Sequence, residues 1–213
     1  MKINTVIFDM DGVIIDSEPF WRQAQINELA KFQVIINDND CIEQTMGKRL
    51  DDIARTWCQH YELSIAPADL QQAILQSVVK QILNKGSAKE GVYSLLKFLK
   101  NNNINIALAT SSSTPIIDAV LERLSIRSFF SSICSADNEK YGKPHPAVYL
   151  RTASQLHVQP GQCIVIEDSV TGLIAGVAAG MTTFVVPENI NDPRFSIASR
   201  SFVSLTEVQM HLT

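Results

Sequence analysis

The chain has 213 residues with a formal net charge of -4, and 46% of the residues are hydrophobic. This length and composition indicate a globular chain with one large domain, or with a medium core that carries a small insert. The acidic balance provides no basic stripe along which a nucleic-acid backbone could bind, so nucleic acid is not an expected partner.

The first predicted element is a short strand, Val6-Ile7-Phe8, which is followed directly by Asp9-Met10-Asp11-Gly12. An unbroken apolar run of this kind is typical of a strand that is buried on both faces. Open α/β sheets bind their ligands at the carboxyl ends of such strands. Two carboxylates at this position therefore indicate a reaction centre.

The next stretch, from Ser17 to about Lys85, predicts helices and no buried strand. Ser17 can cap the first helix, with Pro19 in its first turn. Apolar residues recur at approximately helical spacing along the whole stretch. They are Trp21, Ala24, Leu29 and Phe32, then Ile53, Ala54, Trp57 and Cys58, then Leu70, Ala73, Ile74, Val78 and Ile82. The stretch is interpreted as a small helical unit.

After Gly86 the pattern changes to helices that alternate with short apolar runs. One helix runs through Leu95 and Leu99 to a polar turn of asparagines, and a second begins at Thr114-Pro115. Strands are predicted at 104–109 and at about 132–134, 163–166 and 183–186. Because strands and helices alternate, the sheet should be parallel.

Together these elements predict an α/β fold, a Rossmann-like doubly wound parallel sheet core with an inserted small α-helical cap domain. The core would comprise residues 1–16 and 86–213, and the cap residues 17–85. Gly86-Ser87 is a candidate for one of the two hinge connections. The active site is expected beneath the cap, which should move against the core as a lid.

The four cysteines are widely separated and form no Cys-x-x-Cys pair, as is usual for unpaired core cysteines. They are Cys41, Cys58, Cys134 and Cys163. The hydrophobic stretch near the N-terminus is interrupted at Asp9, far too early for a secretion signal or a membrane span. We therefore expect a cytoplasmic, soluble protein without a membrane partner.

Polar groups also follow other predicted strands. Thr110-Ser111 comes after the strand at 104–109, Lys143 lies in a Gly-Lys-Pro loop, and Glu167-Asp168 comes after the strand at 163–166. Because the carboxyl ends of parallel strands share one edge of a sheet, we expect these groups to converge with Asp9 and Asp11.

Such a gathering of acids needs a cation. Two unit charges about 4 Å apart repel by about 4 kcal/mol at an effective dielectric of 20. Oxygen ligands without His or Cys favour a hard ion, and Mg²⁺ accepts a few carboxylates together with water and phosphate oxygens. Lys143 would supply a second positive charge.

The motifs Asp9-Met10-Asp11-Gly12-Val13, Thr110, Lys143 and Glu167-Asp168, in this order, resemble the haloacid dehalogenase superfamily of phosphohydrolases over essentially the whole chain. The helical insert and the segments 45–49, 143–146 and 167–172 look like the branch that contains β-phosphoglucomutase and the small sugar-phosphate phosphatases. Segments 16–19 and 191–195 are especially similar to hexitol and 2-deoxyglucose-6-phosphate phosphatases.

This resemblance implies roles for the two acids of the first motif. Asp9 would attack phosphorus and become an aspartyl phosphate, which divides one difficult hydrolysis into two displacements. Asp11 would protonate the departing sugar oxygen and later take a proton from the attacking water. The resemblance thus implies a nucleophile and a separate general acid and base.

It also implies ligands for the phosphoryl group and for the metal. Thr110, the Ser111 backbone N–H and Lys143 would bind phosphoryl oxygens. Mg²⁺ would be held by Asp9, the backbone carbonyl of Asp11 and Asp168. Glu167 would be either a further ligand or a group that orients the others.

In the insert, Arg49 is the best candidate for contact with the sugar or its phosphate. Gly47 lets the backbone come close, and the guanidinium offers a fork of donors. A solvated charge at the start of a helix is an equally good interpretation.

The sequence therefore predicts a monomeric Mg²⁺-dependent phosphatase for small phosphomonoesters of sugars or sugar alcohols. A phosphomutase is the nearest alternative, although β-phosphoglucomutases typically carry a His where this chain has Trp21. A receiver-like phosphoswitch is an alternative from another class. Asp11 and the long insert are expected of a hydrolase and not of a receiver.

Overall fold

The structure of the chain is a computed structural model, which describes residues 3–45 and 48–213. In these residues six strands form one sheet: β1 (Thr5–Phe8), β2 (Asn105–Thr110), β3 (Ser132–Ser135), β4 (Cys163–Glu167), β5 (Thr182–Val185) and β6 (Arg200–Ser201). The strand order is β3-β2-β1-β4-β5-β6, and every neighbouring pair is parallel. The predicted doubly wound parallel sheet is confirmed.

The strand order places a topological switch point between β1 and β4. From β1 the chain moves outward through β2 to β3, and it then returns to β4 on the other side of β1 and moves outward again. Ligands in open α/β sheets bind at such a point, outside the carboxyl ends of the strands. The chain continues at this edge with Asp9 after β1 and with Asp168 after β4.

After residue 86 the described helices alternate with the strands. Between β1 and residue 86, the described part of the chain has four helices with no strand among them. The earlier group is α1 (Glu18–Ala30), α2 (Asp38–Thr45), α3 (Leu50–His60) and α4 (Pro67–Lys85). The later group is α5 (Val92–Asn101), α6 (Thr114–Arg123), α7 (Ala147–Gln155), α8 (Val170–Ala178) and α9 (Leu205–Leu212). None of the helices in the described part of the chain is long and apolar enough to cross a membrane.

The chain forms two compact units. One contains the residues up to Asp16 together with Ser87–Thr213, and the other is Ser17–Gly86. The sheet belongs to the first unit, and α1 to α4 make up the second. The roles of catalytic core and cap for these units stay a prediction.

The sheet unit is built around strands buried on both faces. Val6, Ile7 and Phe8 of β1 are at most 1% exposed. Helix α8 packs closely on the sheet because Gly176 has no side chain, since a Cβ there would lie 2.6 Å from Thr183 Oγ1 of β5. This packing fixes the start of α8 next to the end of β4.

The helical unit has a buried polar contact at its centre. Gln25 Oε1 of α1 accepts hydrogen bonds from Trp57 Nε1 of α3 and from Thr45 Oγ1 of α2, each at 2.8 Å. Ser17 stands at the N-cap position of α1, but its side chain makes no capping hydrogen bond. The predicted helix start is therefore correct, whereas the predicted cap contact is wrong.

Candidate active site

Three carboxylates meet at the carboxyl edge of the sheet. Asp9 follows β1, Glu167 ends β4, and Asp168 comes directly after it. One ligand oxygen from each of the three lies within 4.8 Å of the others. Strands β1 and β4 are hydrogen-bonded neighbours, so the two strand ends bring these acids together. The predicted convergence is observed for these three acids.

Lys143 lies among these acids. Its Nζ donates to Asp9 Oδ1 at 2.6 Å, to Glu167 Oε1 at 2.7 Å and to the Ala109 carbonyl at 3.2 Å. The Lys143 side chain is only 5% exposed. Burial lowers its pKa, but the charges of Asp9 and Glu167 outweigh that effect and raise the pKa well above the usual range. Lys143 is therefore a permanent cation of the site.

The Glu167 carboxylate is fully buried and accepts hydrogen bonds from five donor atoms. Oε1 accepts from Lys143 Nζ at 2.7 Å and from the Tyr149 hydroxyl at 2.6 Å. Oε2 accepts from the Asp168 N–H at 3.1 Å, from the Ser169 N–H at 3.2 Å and from Ser169 Oγ at 2.9 Å. Burial raises its pKa, but Lys143 and these hydrogen bonds outweigh it, and the net pKa is below the usual value. Glu167 is thus a fixed anion.

Two glycines leave room for the acids. A Cβ on Gly12 would lie 1.8 Å from Asp168 Oδ2, and the φ of Gly12 is +76°, which also favours glycine. A Cβ on Gly172, in the first turn of α8, would lie 1.7 Å from Glu167 Oε1. The carboxylates therefore pack directly against backbone.

On the β2 side of the site, hydroxyl groups surround Asp11. Ser112 Oγ donates to Asp11 Oδ2 at 2.6 Å, whereas Thr110 Oγ1 stands 3.5 Å from the same oxygen, which is long for a hydroxyl hydrogen bond. The Ser112 N–H donates to Thr110 Oγ1 at 3.1 Å. Ser135 Oγ of β3 donates to the Ser112 carbonyl at 2.7 Å. The four residues form one connected hydrogen-bonded group.

The acids and Lys143 do not balance one another in charge. Burial raises the pKa of Asp9 well above its usual range, with Glu167 adding to the effect and Lys143 opposing it. Burial and the Glu167 charge raise the pKa of Asp168 to about 7. Without a further cation, ionisation of Asp9 and Asp168 is therefore unfavourable, and a bound cation would relieve this cost. Carboxylate oxygens alone are a donor set that suits a hard divalent ion.

The sequence-predicted site residues divide into two groups. Asp9, Lys143, Glu167 and Asp168 belong to one hydrogen-bonded group at the sheet edge, and Asp11 and Thr110 belong to the separate group around Ser112. Ser111 comes next to Thr110 in the chain and is exposed.

Arg49 lies in the helical unit and belongs to neither of these two groups. Its side chain is 77% exposed and stands 3.7 Å from Asp51. A solvated ion pair of this kind contributes little to stability. Gly47, predicted to let the backbone approach a ligand, lies outside the described residues. The substrate contact of Arg49 stays a prediction.

Four residues of these two hydrogen-bonded groups were not predicted from the sequence. Tyr149 lies on the buried face of α7, where an aromatic is most simply interpreted as core, and Ser169 precedes α8 as a helix cap. Ser112 belongs to the run of three serines that follows Thr110, and this run is a visible signal in the sequence. Ser135 ends β3, and no pattern in the sequence marks it.

Comparison with known proteins agrees with this site. The family model described as "Haloacid dehalogenase-like hydrolase" matches residues 6–186. Hexitol phosphatase B of Escherichia coli (strain K12) is 35% identical over 213 residues, which cover 97% of this chain and 95% of that protein. Fructose-1-phosphate phosphatase YqaB of the same organism is 30% identical over 178 residues, covering 83% of this chain and 92% of that protein.

A solved structure shows the same fold over the full length. The putative β-phosphoglucomutase from Thermotoga maritima superposes with a TM-score of 0.86 at 26% identity, covering 100% of this chain and 98% of that one. The chain belongs to the haloacid dehalogenase-like hydrolases. The prediction of an enzyme of this family is confirmed, and the membership speaks against a receiver-like phosphoswitch.

Proposed function

We propose that this protein is a Mg²⁺-dependent phosphatase that hydrolyses small sugar phosphates or sugar-alcohol phosphates through an aspartyl phosphate. The observation that carries the proposal is the buried Asp9 carboxylate at the end of β1, with Lys143 Nζ at 2.6 Å and Asp168 beside it. The relatives that act on hexitol phosphates and on fructose 1-phosphate, by their names, support this substrate class.

The first half-reaction transfers the phosphoryl group to the protein. A carboxylate oxygen of Asp9 forms a bond to phosphorus while the bond between phosphorus and the sugar oxygen breaks. Asp11 gives its proton to the departing oxygen, so the sugar leaves as a neutral alcohol. Thr110, the Ser111 N–H and Lys143 stabilise the charge that spreads over the phosphoryl oxygens.

The second half-reaction releases phosphate. Asp11, now ionised, takes a proton from a water molecule, whose oxygen attacks phosphorus. The bond between phosphorus and Asp9 breaks, and the Asp9 carboxylate is restored. Asp11 ends the cycle with its proton regained, and the net reaction consumes one water molecule per phosphomonoester.

The residues fit a magnesium ion at the acidic edge. Asp9, Asp168 and the backbone carbonyl of Asp11 would hold it, and the ion would supply positive charge for the phosphoryl oxygens and for the acids. Glu167 already accepts hydrogen bonds from five donor atoms. We therefore assign Glu167 the role of orienting Lys143 and the Asp168 backbone rather than that of a direct metal ligand.

A phosphomutase is the second candidate, favoured by the likeness to the putative β-phosphoglucomutase. The two activities share the Asp9 chemistry and differ in what accepts the phosphoryl group. Trp21 lies on α1, and the resemblance described in the sequence analysis implies a His at this position in β-phosphoglucomutases. This favours transfer to water.

The proposal is tested by measuring phosphate released from a panel of hexose, pentose and hexitol phosphates, with Mg²⁺ and with a chelator. We expect many turnovers per protein molecule with Mg²⁺ and almost none with chelator. Asp9→Asn should lower kcat at least about a thousandfold, because the nucleophile is lost. Asp69→Asn, an exposed acid in the first turn of α4, is the matched control and should keep full activity.

Near-normal turnover by Asp9→Asn would exclude this carboxylate as the nucleophile. Conversion of a hexose 1-phosphate to its 6-phosphate isomer, dependent on a bisphosphate and without net phosphate release, would favour the mutase instead.

A further inference from the structure

Asp11 differs from the other acids of the site, because the proposed mechanism requires both protonation states of its carboxyl group. It must carry a proton when the sugar leaves and must be ionised when water attacks. A partner that only donates hydrogen bonds, such as an ammonium or a backbone N–H, stabilises the ionised form alone. A hydroxyl both donates and accepts, so it can pair with either form of the carboxyl group.

Ser112 supplies such a hydroxyl at close range. Its Oγ lies 2.6 Å from Asp11 Oδ2, which is the length of a strong hydrogen bond to a carboxylate. Thr110 Oγ1 stands farther away, at 3.5 Å. Thr110 Oγ1 also accepts a hydrogen bond from the Ser112 N–H at 3.1 Å, so the hydroxyl proton of Thr110 points away from that amide.

The position of Ser112 is itself fixed by the neighbouring strand. Ser135 pairs with Thr110 in the register of β2 and β3, and it is only 4% exposed. Its Oγ donates to the Ser112 carbonyl at 2.7 Å. Ser112 is therefore held at its N–H by Thr110 and at its carbonyl by Ser135.

We propose that Ser112 is a positioning residue for the general acid and base Asp11, and that Ser135 holds Ser112 in place for this task. The inference rests on the proposed function, in which Asp11 transfers the proton. The hydroxyl of Ser112 keeps Asp11 Oδ2 in one place through both half-reactions. The carboxyl group then already has the rotamer that proton transfer requires.

The test uses phenyl phosphate and 4-nitrophenyl phosphate, which are similar in size and carry no sugar hydroxyls. Phenolate is a poor leaving group that needs a proton, whereas 4-nitrophenolate leaves without one. The ratio kcat/KM includes only the steps up to release of the leaving group, so it isolates the first half-reaction. It is measured with saturating Mg²⁺ for the wild type and for each variant.

We expect Ser112→Ala to lower kcat/KM about tenfold for phenyl phosphate and no more than about twofold for 4-nitrophenyl phosphate, since acid catalysis contributes about a hundredfold or more. Ser112→Thr keeps the hydroxyl and should restore the phenyl phosphate activity. Ser135→Ala should show the same selectivity with a smaller loss. The matched control is Ser113→Ala. Ser113 is the next serine in the chain, and its side chain makes no capping hydrogen bond.

A structural or phosphoryl-binding role of Ser112 predicts equal losses for both substrates, so equal losses would overturn the inference. The absence of any loss, or of rescue by Ser112→Thr, would overturn it as well. If Ser112→Ala does not fold, as judged by circular dichroism, Ser135→Ala decides by the same criterion. Failure of the proposed function has a separate signature, which is a wild-type protein that releases phosphate from neither substrate.

Discussion

The two sides of the site differ in how their polar groups are held. On the β4 side, Glu167 is buried and receives hydrogen bonds from a lysine, a tyrosine, a serine hydroxyl and two backbone amides. On the β2 side, Asp11 is half-buried and faces the hydroxyl groups of Ser112 and Thr110. The β4 side is a fixed arrangement of charges, and the β2 side suits a group that changes its protonation.

The difference shows how one sheet edge can serve two tasks. Preorganised charges stabilise a transition state because they need not reorient when it forms. A proton-transfer group needs partners that accept both of its states. The β4 side should therefore respond to substitution mainly in stability, and the β2 side mainly in the rate of proton transfer.

The largest effect is expected for Lys143→Met, which removes the cation from the β4 side. Glu167 would stay buried without its charge partner, so the free energy of unfolding should fall by about 3 kcal/mol or more. Phosphatase activity should fall with it. Urea denaturation at neutral pH measures the change, and Lys97→Met, an exposed lysine of α5, should leave stability unchanged. An unaltered unfolding midpoint for Lys143→Met would contradict the fixed-charge description.

A smaller effect is expected for Gly172→Ala. The added methyl would overlap Glu167 Oε1, and the carboxylate cannot move without leaving its donors. We expect a loss of about 2 kcal/mol in the free energy of unfolding, together with a lower kcat. Gly142→Ala is the control, because its Cβ would meet nothing within 4 Å. Equal stability of the two variants would show that Glu167 is less confined than its contacts indicate.

Tyr149→Phe removes one hydrogen bond to the Glu167 anion without changing the packing volume much. Bonds to charged groups contribute more than neutral ones, so the free energy of unfolding should fall by about 1.5 kcal/mol. Tyr93→Phe is matched to it, because the Tyr93 hydroxyl donates to the uncharged Leu124 carbonyl at 3.2 Å. Thermal and urea unfolding should show the smaller loss for Tyr93→Phe, and the reverse order would contradict the charge-based argument.

The smallest effect concerns pH and magnesium. The pKa of Asp168 is raised to about 7. Between about pH 4 and 7 the folded metal-free protein keeps a proton that the unfolded chain has lost, so this group's contribution to stability falls as pH rises through that window. Magnesium requires the ionised form, so its stabilising effect should be larger at about pH 8 than at about pH 5.5.

Differential scanning fluorimetry with and without Mg²⁺ measures this difference as a shift in Tm of a few degrees. Asp168→Asn should remove most of the Mg²⁺-dependent shift at both pH values. A shift that does not depend on pH, or that survives Asp168→Asn, would place the ion elsewhere.

Much of the β4 side was predictable from the sequence. Buried parallel strands are continuous apolar runs, and polar residues at their ends are visible in the chain, as with Asp9 after β1 and Glu167 at the end of β4. Tyr149 was not predictable as a partner of Glu167. Its place on the buried face of α7 is explained equally well by packing, and only the structure shows where its hydroxyl points.

The β2 side was less predictable, because short-range contacts between hydroxyls leave no periodic pattern. Thr110 was identified by its position at a strand end, whereas Ser112 and Ser135 depend on the conformation of a turn and on strand register. Strand β6 was missed because its two residues, Arg200 and Ser201, are exposed and carry no apolar signal. Its pairing with β5 is a tertiary effect.

The hydroxyl of Ser169 has a further consequence. It accepts the Gly172 N–H at the start of α8, at 3.0 Å, and it also donates to Glu167 Oε2 at 2.9 Å. One atom thus serves as the cap of a helix and as a support for the carboxylate. Fraying of the first turn of α8 would loosen Glu167 at the same moment, so hydrogen–deuterium exchange at the Gly172 amide should report on the integrity of the proposed active site.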